Sequence, residues 1–186
     1  MKVNGNSLKA GMIINHKDSI WKVISSQSVK PGKGGAFAQV EMKSVGKNTK
    51  LNERFRSSET VEKASLDETD FNYLYEDENN YIFMNPKTYD QIEIKKDIVG
   101  ERGKLMTENL KVSVSFYNDN PISVELPNQV TCKIDATDVA LKGQTVSSSY
   151  KPATLDNGLN IQVPPFIESG DEVIIDTRTF EYIKKI

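Results

Sequence analysis

Short stretches in which hydrophobic and polar residues alternate make up most of the chain. Such alternation predicts β-strands with one buried face, and turn residues separate the stretches at intervals of about 8 to 12 positions. The predicted strands are residues 20–24, 36–42, 51–55, 71–75, 81–84, 110–117, 122–126, 130–134, 161–163, 172–176 and 180–183. Only residues 97–109 have a helical pattern, and Gly100 and Gly103 weaken it because glycine is a poor helix former. The pattern therefore predicts an all-β protein.

The spacing of these strands favours small barrels over one large sandwich. The pattern breaks near residues 63–65 and 126–128, which divides the chain into three predicted domains, residues 1–64, 65–127 and 128–186. Domains of this size are near the lower limit for independent folding, so we expect neighbouring barrels to support one another. The hairpins at 71–84 and 110–126, on either side of the weak helix, suit a five-stranded barrel of the oligonucleotide/oligosaccharide-binding (OB) type.

Charge is distributed unevenly over the three predicted domains. The 186 residues include 24 Lys and Arg and 26 Asp and Glu, a net charge of −2, which by itself argues against a nucleic-acid-binding protein. Residues 1–64, however, contain 12 basic and 5 acidic residues, a net charge of +7. Residues 65–127 contain 6 and 13, a net of −7, and residues 128–186 contain 6 and 8, a net of −2. This asymmetry favours an anionic partner for the first domain, with a surface charged for solubility as the alternative.

Cysteine and histidine are too rare for most metal or disulfide sites. Cys132 is the single cysteine and His16 the single histidine, which excludes an internal disulfide, a CxxC zinc site and a histidine cluster. Cys132 lies in an alternating strand with Val130 and Ile134, so we expect it to be a small buried side chain. His16 adjoins a predicted turn, and we expect it at the surface.

No segment of the sequence has the pattern of a membrane span or a secretory signal peptide. Every apolar run is shorter than the roughly 18 to 20 residues that cross a bilayer. Residues 1–5 lack the apolar region of a signal peptide, so we expect a cytoplasmic protein that does not bind membranes.

Enzyme signatures are also missing from the sequence. Residues 32–35 lack the spacing and the Ser or Thr of a phosphate-binding P-loop. A nucleophile activated by histidine could use only His16, and a hydrolase with Lys33 as nucleophile has no second catalytic group. We therefore expect a non-enzymatic protein without a cofactor or bound metal.

One Pro- and Gly-rich segment, residues 29–37, is longer than a hairpin turn requires, since two residues suffice. The residues that frame Lys33 within it are Lys30, Pro31, Gly32, Gly34 and Gly35. Their small side chains leave the Lys33 ammonium at a slender loop tip, which could enter a space too narrow for a bulkier loop. A flexible hairpin whose lysine aids solubility is the alternative.

Residues 30–37, Lys-Pro-Gly-Lys-Gly-Gly-Ala-Phe, resemble the loop of the bacterial elongation factor P family. Residues 151–170 resemble a second signature of that family, Lys-x-Ala followed by Gly and Val-Pro at fixed spacing, and residues 176–182 resemble its closing Asp-Thr-Arg-x-x-x-Tyr. Shorter similar stretches are residues 52–55, 81–84 and 120–124. The resemblance is collinear over nearly the whole chain.

This resemblance implies three barrels in an elongated L shape, a KOW/SH3-like domain followed by two OB domains. It implies a monomer that binds the ribosome beside peptidyl-tRNA, near the P and E sites, and stimulates peptide bond formation at consecutive prolines. Lys33 would reach the peptidyl-transferase centre and be the target of a lysine-modifying enzyme. Because the tip residue is lysine, a rhamnosylated arginine is excluded, while a β-lysine-type extension, an aminopentanol-type extension or none stays open. A generic OB-fold RNA-binding or RNA-chaperone protein is the alternative function.

The basic residues that could contact RNA phosphates are spread over the first and third predicted domains. They are Lys22, Lys43, Lys50, Arg54, Arg56, Arg178, Lys184 and Lys185. The alternation within 51–55 predicts that Arg54 and Arg56 lie on the face opposite to that of Phe55. In many members of the family a Gly-Asp-Thr loop approaches the mRNA codon. Here that loop reads Gly143-Gln144-Thr145. The amide of Gln144 can still hydrogen-bond to base edges, so the contact with the codon either persists with an altered preference or is absent.

Overall fold

The computed structural model describes residues 1–47, 49–139 and 149–186 and confirms the all-β class. Within these ranges the protein contains sixteen strands in three sheets, one short α-helix and two 3-10 helices. Two compact units are formed, one of residues 1–69 with 114–124 and the other of residues 70–113 with 125–186. No helix in the described ranges is long and apolar enough to cross a membrane.

The first sheet has six strands in the order β1-β6-β2-β3-β4-β5. The strands are β1 (Lys2–Asn4), β2 (Ile13–His16), β3 (Ser19–Val29), β4 (Phe37–Ser44), β5 (Lys50–Arg56) and β6 (Thr60–Lys63). Its core includes Ile14, Val40, Met42 and Phe55, all almost completely buried. The sequence did not predict β1, β2 or β6, because three or four residues are too few to show a clear alternation.

Two local features set the register of the first sheet. Lys17 and Asp18 both have positive φ, 51° and 58°, and form a two-residue turn between β2 and β3 that matches the twist of a hairpin. The pairing of β3 with β4 shifts by one residue between Val23 and Ser25, which is a β-bulge at Ile24. On β5 the predicted alternation is confirmed, since Phe55 is buried and its arginine neighbours are exposed.

The second sheet has five strands in the order β11-β10-β7-β8-β9. They are β7 (Asp67–Glu76), β8 (Asn80–Met84), β9 (Gln91–Lys95), β10 (Lys111–Tyr117) and β11 (Asn120–Glu125). The predicted helix at 97–109 is confirmed in part: α1 covers Lys96–Val99, a 3-10 helix follows over Gly100–Leu105, and residues 106–109 are not helical. Gly100 ends α1 with a φ of +72°, and a side chain at Gly103 would collide with the ring of Tyr81. Gly100 therefore supplies a backbone conformation that ends α1, and Gly103 permits close packing against Tyr81.

The third sheet also has five strands, in the order β14-β13-β12-β15-β16. They are β12 (Gln129–Thr137), β13 (Lys151–Leu155), β14 (Asn160–Val163), β15 (Glu172–Asp176) and β16 (Tyr182–Lys185). Cys132 is buried with Val130 and Ile134 as predicted, and this burial, with Asp156 nearby, raises the pKa of its thiol to about 11. The strand predicted at 180–183 begins two residues late, because Phe180 takes a left-handed conformation with φ 61°.

Candidate nucleic-acid interface

Lys33 lies in the loop between β3 and β4, beyond the last paired residues, Val29 and Phe37. Every side chain from residue 30 to residue 35 is exposed, and Lys33 forms no salt bridge within the described part of the chain. Gly34 has a φ of +125°, a conformation that favours glycine. A Cβ at Gly32 or Gly35 would meet no atom within 4 Å, so the loop is slender and open. The structure therefore presents the Lys33 ammonium to solvent.

The base of the loop is anchored to β5. The guanidinium carbon of Arg54 lies 5.0 Å from the centroid of the Phe37 ring, and Arg54 Nε donates a hydrogen bond to Gln39 Oε1 at 3.1 Å. The backbone N–H of Ser57 donates to the Ala36 carbonyl oxygen at 3.1 Å. A cation–π contact of this kind contributes about 0.5–1 kcal/mol at exposed sites. These contacts order the residues from which the loop emerges.

Three lysines form a row across neighbouring strands. Lys22 on β3 is paired in register with Lys43 on β4, and Lys43 is paired with Lys50 on β5. All three are exposed, and within the described part of the chain the one salt bridge in the row joins Lys50 Nζ to Glu41 Oε1 at 3.5 Å. Like charges directly opposite each other destabilise a sheet. We therefore expect the row to cost stability, and it presents positive charge on the outer face of the sheet.

The same outer face carries the two arginines of β5. Arg56 is paired with Phe37 and Arg54 with Gln39, on the side of β4 opposite to the buried Ala38 and Val40. The basic face is therefore the outer face of β3, β4 and β5 with Lys22, Lys43, Lys50, Arg54 and Arg56. From Phe37 to Lys43 it spans about 20 Å at the strand rise of about 3.3 Å per residue. The structure thus brings five of the eight predicted basic residues onto one surface.

The three predicted residues of the third domain, Arg178 in the turn between β15 and β16 and Lys184 and Lys185 on β16, have a different environment. Arg178 holds Asp176 with Nη2 at 2.7 Å from Oδ2 and Nε at 3.2 Å from Oδ1, which lowers the pKa of Asp176 to about 2. Lys185 Nζ lies 2.7 Å from Asp171 Oδ2 and lowers the pKa of that carboxyl. Lys184 is exposed and has no salt bridge in the described ranges. Two of these three charges are therefore balanced within the chain. Gly143 and Gln144 lie outside the described residues.

His16 is not the surface turn residue that the sequence suggested. It ends β2, and its ring packs edge-on against Phe55 at 5.1 Å between centroids, with only 19% of its side chain exposed. Its Nε2 lies 3.2 Å from Glu53 Oε2, and Lys17 Nζ lies 2.7 Å from the same oxygen. Hydrogen bonds from Lys17 and His16 lower the pKa of Glu53. The cluster joins β2 to β5 within the first sheet, and sequence reasoning missed it because the pairing spans 37 positions.

Family models match three successive parts of the chain. They describe an elongation factor P KOW-like domain over residues 4–61, an elongation factor P OB domain over residues 66–124 and an elongation factor P C-terminal domain over residues 130–185. Elongation factor P of Pelagibacter ubique is 73% identical over 186 residues and is covered completely, as is this chain. The chain belongs to the elongation factor P family.

Other elongation factor P members are also similar over the full length. That of Brucella ovis is 49% identical over 185 residues, covering 100% of both chains, and that of Bartonella bacilliformis is 47% identical over 186 residues, covering 100% of this chain and 98% of that protein. A solved structure of eukaryotic translation initiation factor 5A from Methanococcus jannaschii aligns with a TM-score of 0.54 at 21% identity, covering 68% of this chain and 92% of that one. That likeness supports the fold alone.

Membership of the elongation factor P family confirms the KOW-like and OB assignments and makes the protein a translation elongation factor, a participant in protein biosynthesis. Factors of this family are not classical enzymes. The similar proteins assign no role to individual residues of this chain, so the roles of Lys33 and the basic face stay predictions.

Proposed function

We propose that this factor binds the ribosome as a monomer beside peptidyl-tRNA, near the P and E sites, and stimulates peptide bond formation at consecutive prolines. The observation that carries the proposal is the exposed Lys33, on a slender loop that rises from the same strands as the basic face. The proposed domains are residues 1–64, 65–127 and 128–186, and the proposed location is the cytoplasm.

The basic face would bind the phosphates of tRNA. Lysine and arginine that neutralise phosphates release counterions, so affinity falls steeply with salt. The predicted second domain has a net charge of −7 and would be repelled by RNA, so we expect it to face solvent or ribosomal proteins. The basic face would thus orient the factor, with β3 and β4 directing the loop along the tRNA.

At the reaction centre Lys33 acts by positioning rather than as a base. Proline is a poor acceptor and a restricted donor, so the slow step is one of geometry. A cationic arm against the terminal nucleotides of peptidyl-tRNA would hold them in a reactive arrangement. Restricting a reactant in this way lowers a barrier by several kcal/mol, within the roughly 7 to 11 kcal/mol of ideal intramolecular cases. The chemistry itself belongs to the ribosome.

The exposed tip also suits covalent modification of Lys33. Nothing in the described structure shields the ammonium, and the flanking glycines leave room for the active site of a modifying enzyme. A β-lysine-type or aminopentanol-type extension would lengthen the arm, and the unmodified side chain is the third alternative. The intact mass of the natively expressed protein, with peptide mapping of residues 30–37, distinguishes the three.

Translation of a reporter with three consecutive prolines tests the role of Lys33. We expect Lys33→Ala to abolish the stimulation, because the arm that reaches the reacting ends is removed. Lys9→Ala, at another exposed lysine of the first domain, is the matched control and should retain it. Full stimulation by Lys33→Ala would refute the proposal.

Exposed aromatic side chains support a test of the alternative RNA-chaperone function. Tyr89 and Phe166 are 71% and 62% exposed in loops of the second and third sheets, and aromatic platforms are what sequence-independent single-strand binding requires. A chaperone would bind free single-stranded RNA tightly and lose that affinity in Tyr89→Ala or Phe166→Ala. An elongation factor should bind ribosomes far more tightly than free RNA, and fluorescence anisotropy measures both affinities.

A further inference from the structure

Gly46 occupies the loop between β4 and β5 and meets the hairpin of β10 and β11. Its φ is +80°, and a Cβ there would overlap the carbonyl oxygen of Ile122 and lie 3.1 Å from its carbonyl carbon. Both residues belong to the same compact unit. Backbone therefore meets backbone with no space for a side chain, and a rotamer change cannot relieve the overlap.

The contact between Gly46 and Ile122 is not backed by side-chain packing around it. An open cleft of about 390 Å³ lies beside it, lined by residues that include Ile20, Ser44 and Tyr117, so side-chain packing does not fill the space. The Gly46 loop is tied to the first sheet by hydrogen bonds from Val45 N–H to the Ile20 carbonyl at 2.9 Å and from Ser44 N–H to the Thr49 carbonyl at 2.9 Å. A displacement at Gly46 is therefore passed directly to the ends of β4 and β5.

We infer that Gly46 is a positioning residue for Lys33. β4 runs from Phe37, at the base of the Lys33 loop, to Ser44, next to the Gly46 loop, a length of about 23 Å. A tilt of about 5° at Ser44 moves the other end by about 2 Å over that length. Misplacement by about 1 Å can cost 100-fold in a reaction that depends on positioning. The close approach of Gly46 to Ile122 thus fixes the direction of the loop relative to residues 114–124 of the hairpin, which belong to the same compact unit. This inference rests on the proposed function of Lys33.

Two alanine substitutions separate the contact from backbone strain. Gly46→Ala adds both a strained φ and the overlap with Ile122, whereas Gly11→Ala, at φ +90° with no atom within 4 Å of the new Cβ, adds strain alone. Spin labels on Gln27→Cys and Asn120→Cys, both exposed sites of the same unit, report the orientation of β3 relative to the hairpin. Cys132 is buried and does not compete for the label.

We expect Gly46→Ala to shift or broaden the distance distribution by about 2 Å and to lower the maximal rate on a triple-proline reporter by about tenfold or more. Gly11→Ala should leave both unchanged. The inference would be overturned if Gly46→Ala kept the wild-type distance, or if it changed the distance and left the reporter rate at its full value. Equal changes of distance and rate in Gly46→Ala and Gly11→Ala would also overturn it. The distance does not depend on the function of Lys33, whereas Lys33→Ala alone decides the proposed function.

If Gly46→Ala does not fold, hydrogen exchange of the wild type under mild denaturant tests the same contact. Residues 44–47 and 120–124 should then open at the same denaturant concentration, as one cooperative segment. Opening at different concentrations would overturn the inference.

Discussion

On the first sheet Lys43 stands between two other lysines, whereas on the third sheet Arg178 and Lys185 each face a carboxylate. Both groups appear as basic residues in the sequence, yet their electrostatic states differ. The lysine row leaves its charge available to a partner, while Asp176 and Asp171 largely balance the charge on the third sheet. We therefore expect RNA binding to follow uncompensated charge rather than the number of basic residues.

Neutralising the row should have the largest effect. We expect the triple variant Lys22→Gln, Lys43→Gln and Lys50→Gln to bind ribosomes about 10- to 100-fold more weakly at moderate salt. The slope of log affinity against log salt should fall by about 2 to 3, since each lost phosphate contact removes about 0.7 to 0.9. Binding titrations across a salt series measure both quantities.

The matched control removes the same number of charges from the third sheet. Arg178→Gln, Lys184→Gln and Lys185→Gln together should reduce the slope by about 1 or less, because Lys184 alone is free of an acidic partner in the described ranges. Equal losses in the two triple variants would show that pairing within the chain does not decide which surface binds RNA.

The ion pair between Arg178 and Asp176 should make the stability of the protein depend on pH, an effect of intermediate size. The pKa of Asp176 is about 2 in the folded protein, below its ordinary value of 3.8, because Arg178 stabilises the carboxylate. The resulting stability is present above about pH 4 and is lost as the pH falls towards 2. In Arg178→Gln we expect the pKa of Asp176 to rise and this acid-sensitive contribution to shrink.

Titration of the Asp176 carboxyl carbon by NMR measures that pKa directly. Lys185→Gln is the control, since it should raise the pKa of Asp171 and leave that of Asp176 unchanged. An unchanged pKa of Asp176 in Arg178→Gln would mean that the arginine is not neutralised by its neighbour and is free to bind RNA.

The smallest expected effect concerns stability. Lys43 has two lysine neighbours across the strands, Lys22 has one, and Lys50 has one together with Glu41. Substitution by glutamine should therefore raise the free energy of unfolding in the order Lys43, Lys22, Lys50, by at most about 1 kcal/mol. Urea unfolding at low salt measures these gains, which should fade at high salt. A loss of stability in Lys43→Gln would contradict the repulsion across the row.

Alternation along single strands allowed several positions to be predicted from the sequence. Phe55 and Cys132 are buried, and the arginines beside Phe55 are exposed, because the side-chain period of two fixes the face of each residue once the strand is recognised. The loop around Lys33 was recognisable because its glycines and proline exceed what a turn requires.

Features that depend on register or on distant partners could not be predicted. The row of Lys22, Lys43 and Lys50 depends on how β3 and β4 pair on either side of the bulge at Ile24, and alternation along one strand does not encode that pairing. His16 is held by Phe55 and Glu53, about 40 positions along the chain, and Gly103 in the 3-10 helix packs against Tyr81, about 20 positions before it.

The antiparallel pairing of β1 with β6 has a consequence for recombination between related genes. Lys2 pairs with Glu62 and Val3 with Val61, so the chain enters and leaves the first sheet side by side. A single crossover between related genes at residues 64–66 would transfer the Lys33 loop and the basic face together. The recipient must still accommodate Gly46 against the Ile122 carbonyl, so the β4–β5 loop and the β10–β11 hairpin are expected to evolve as a pair.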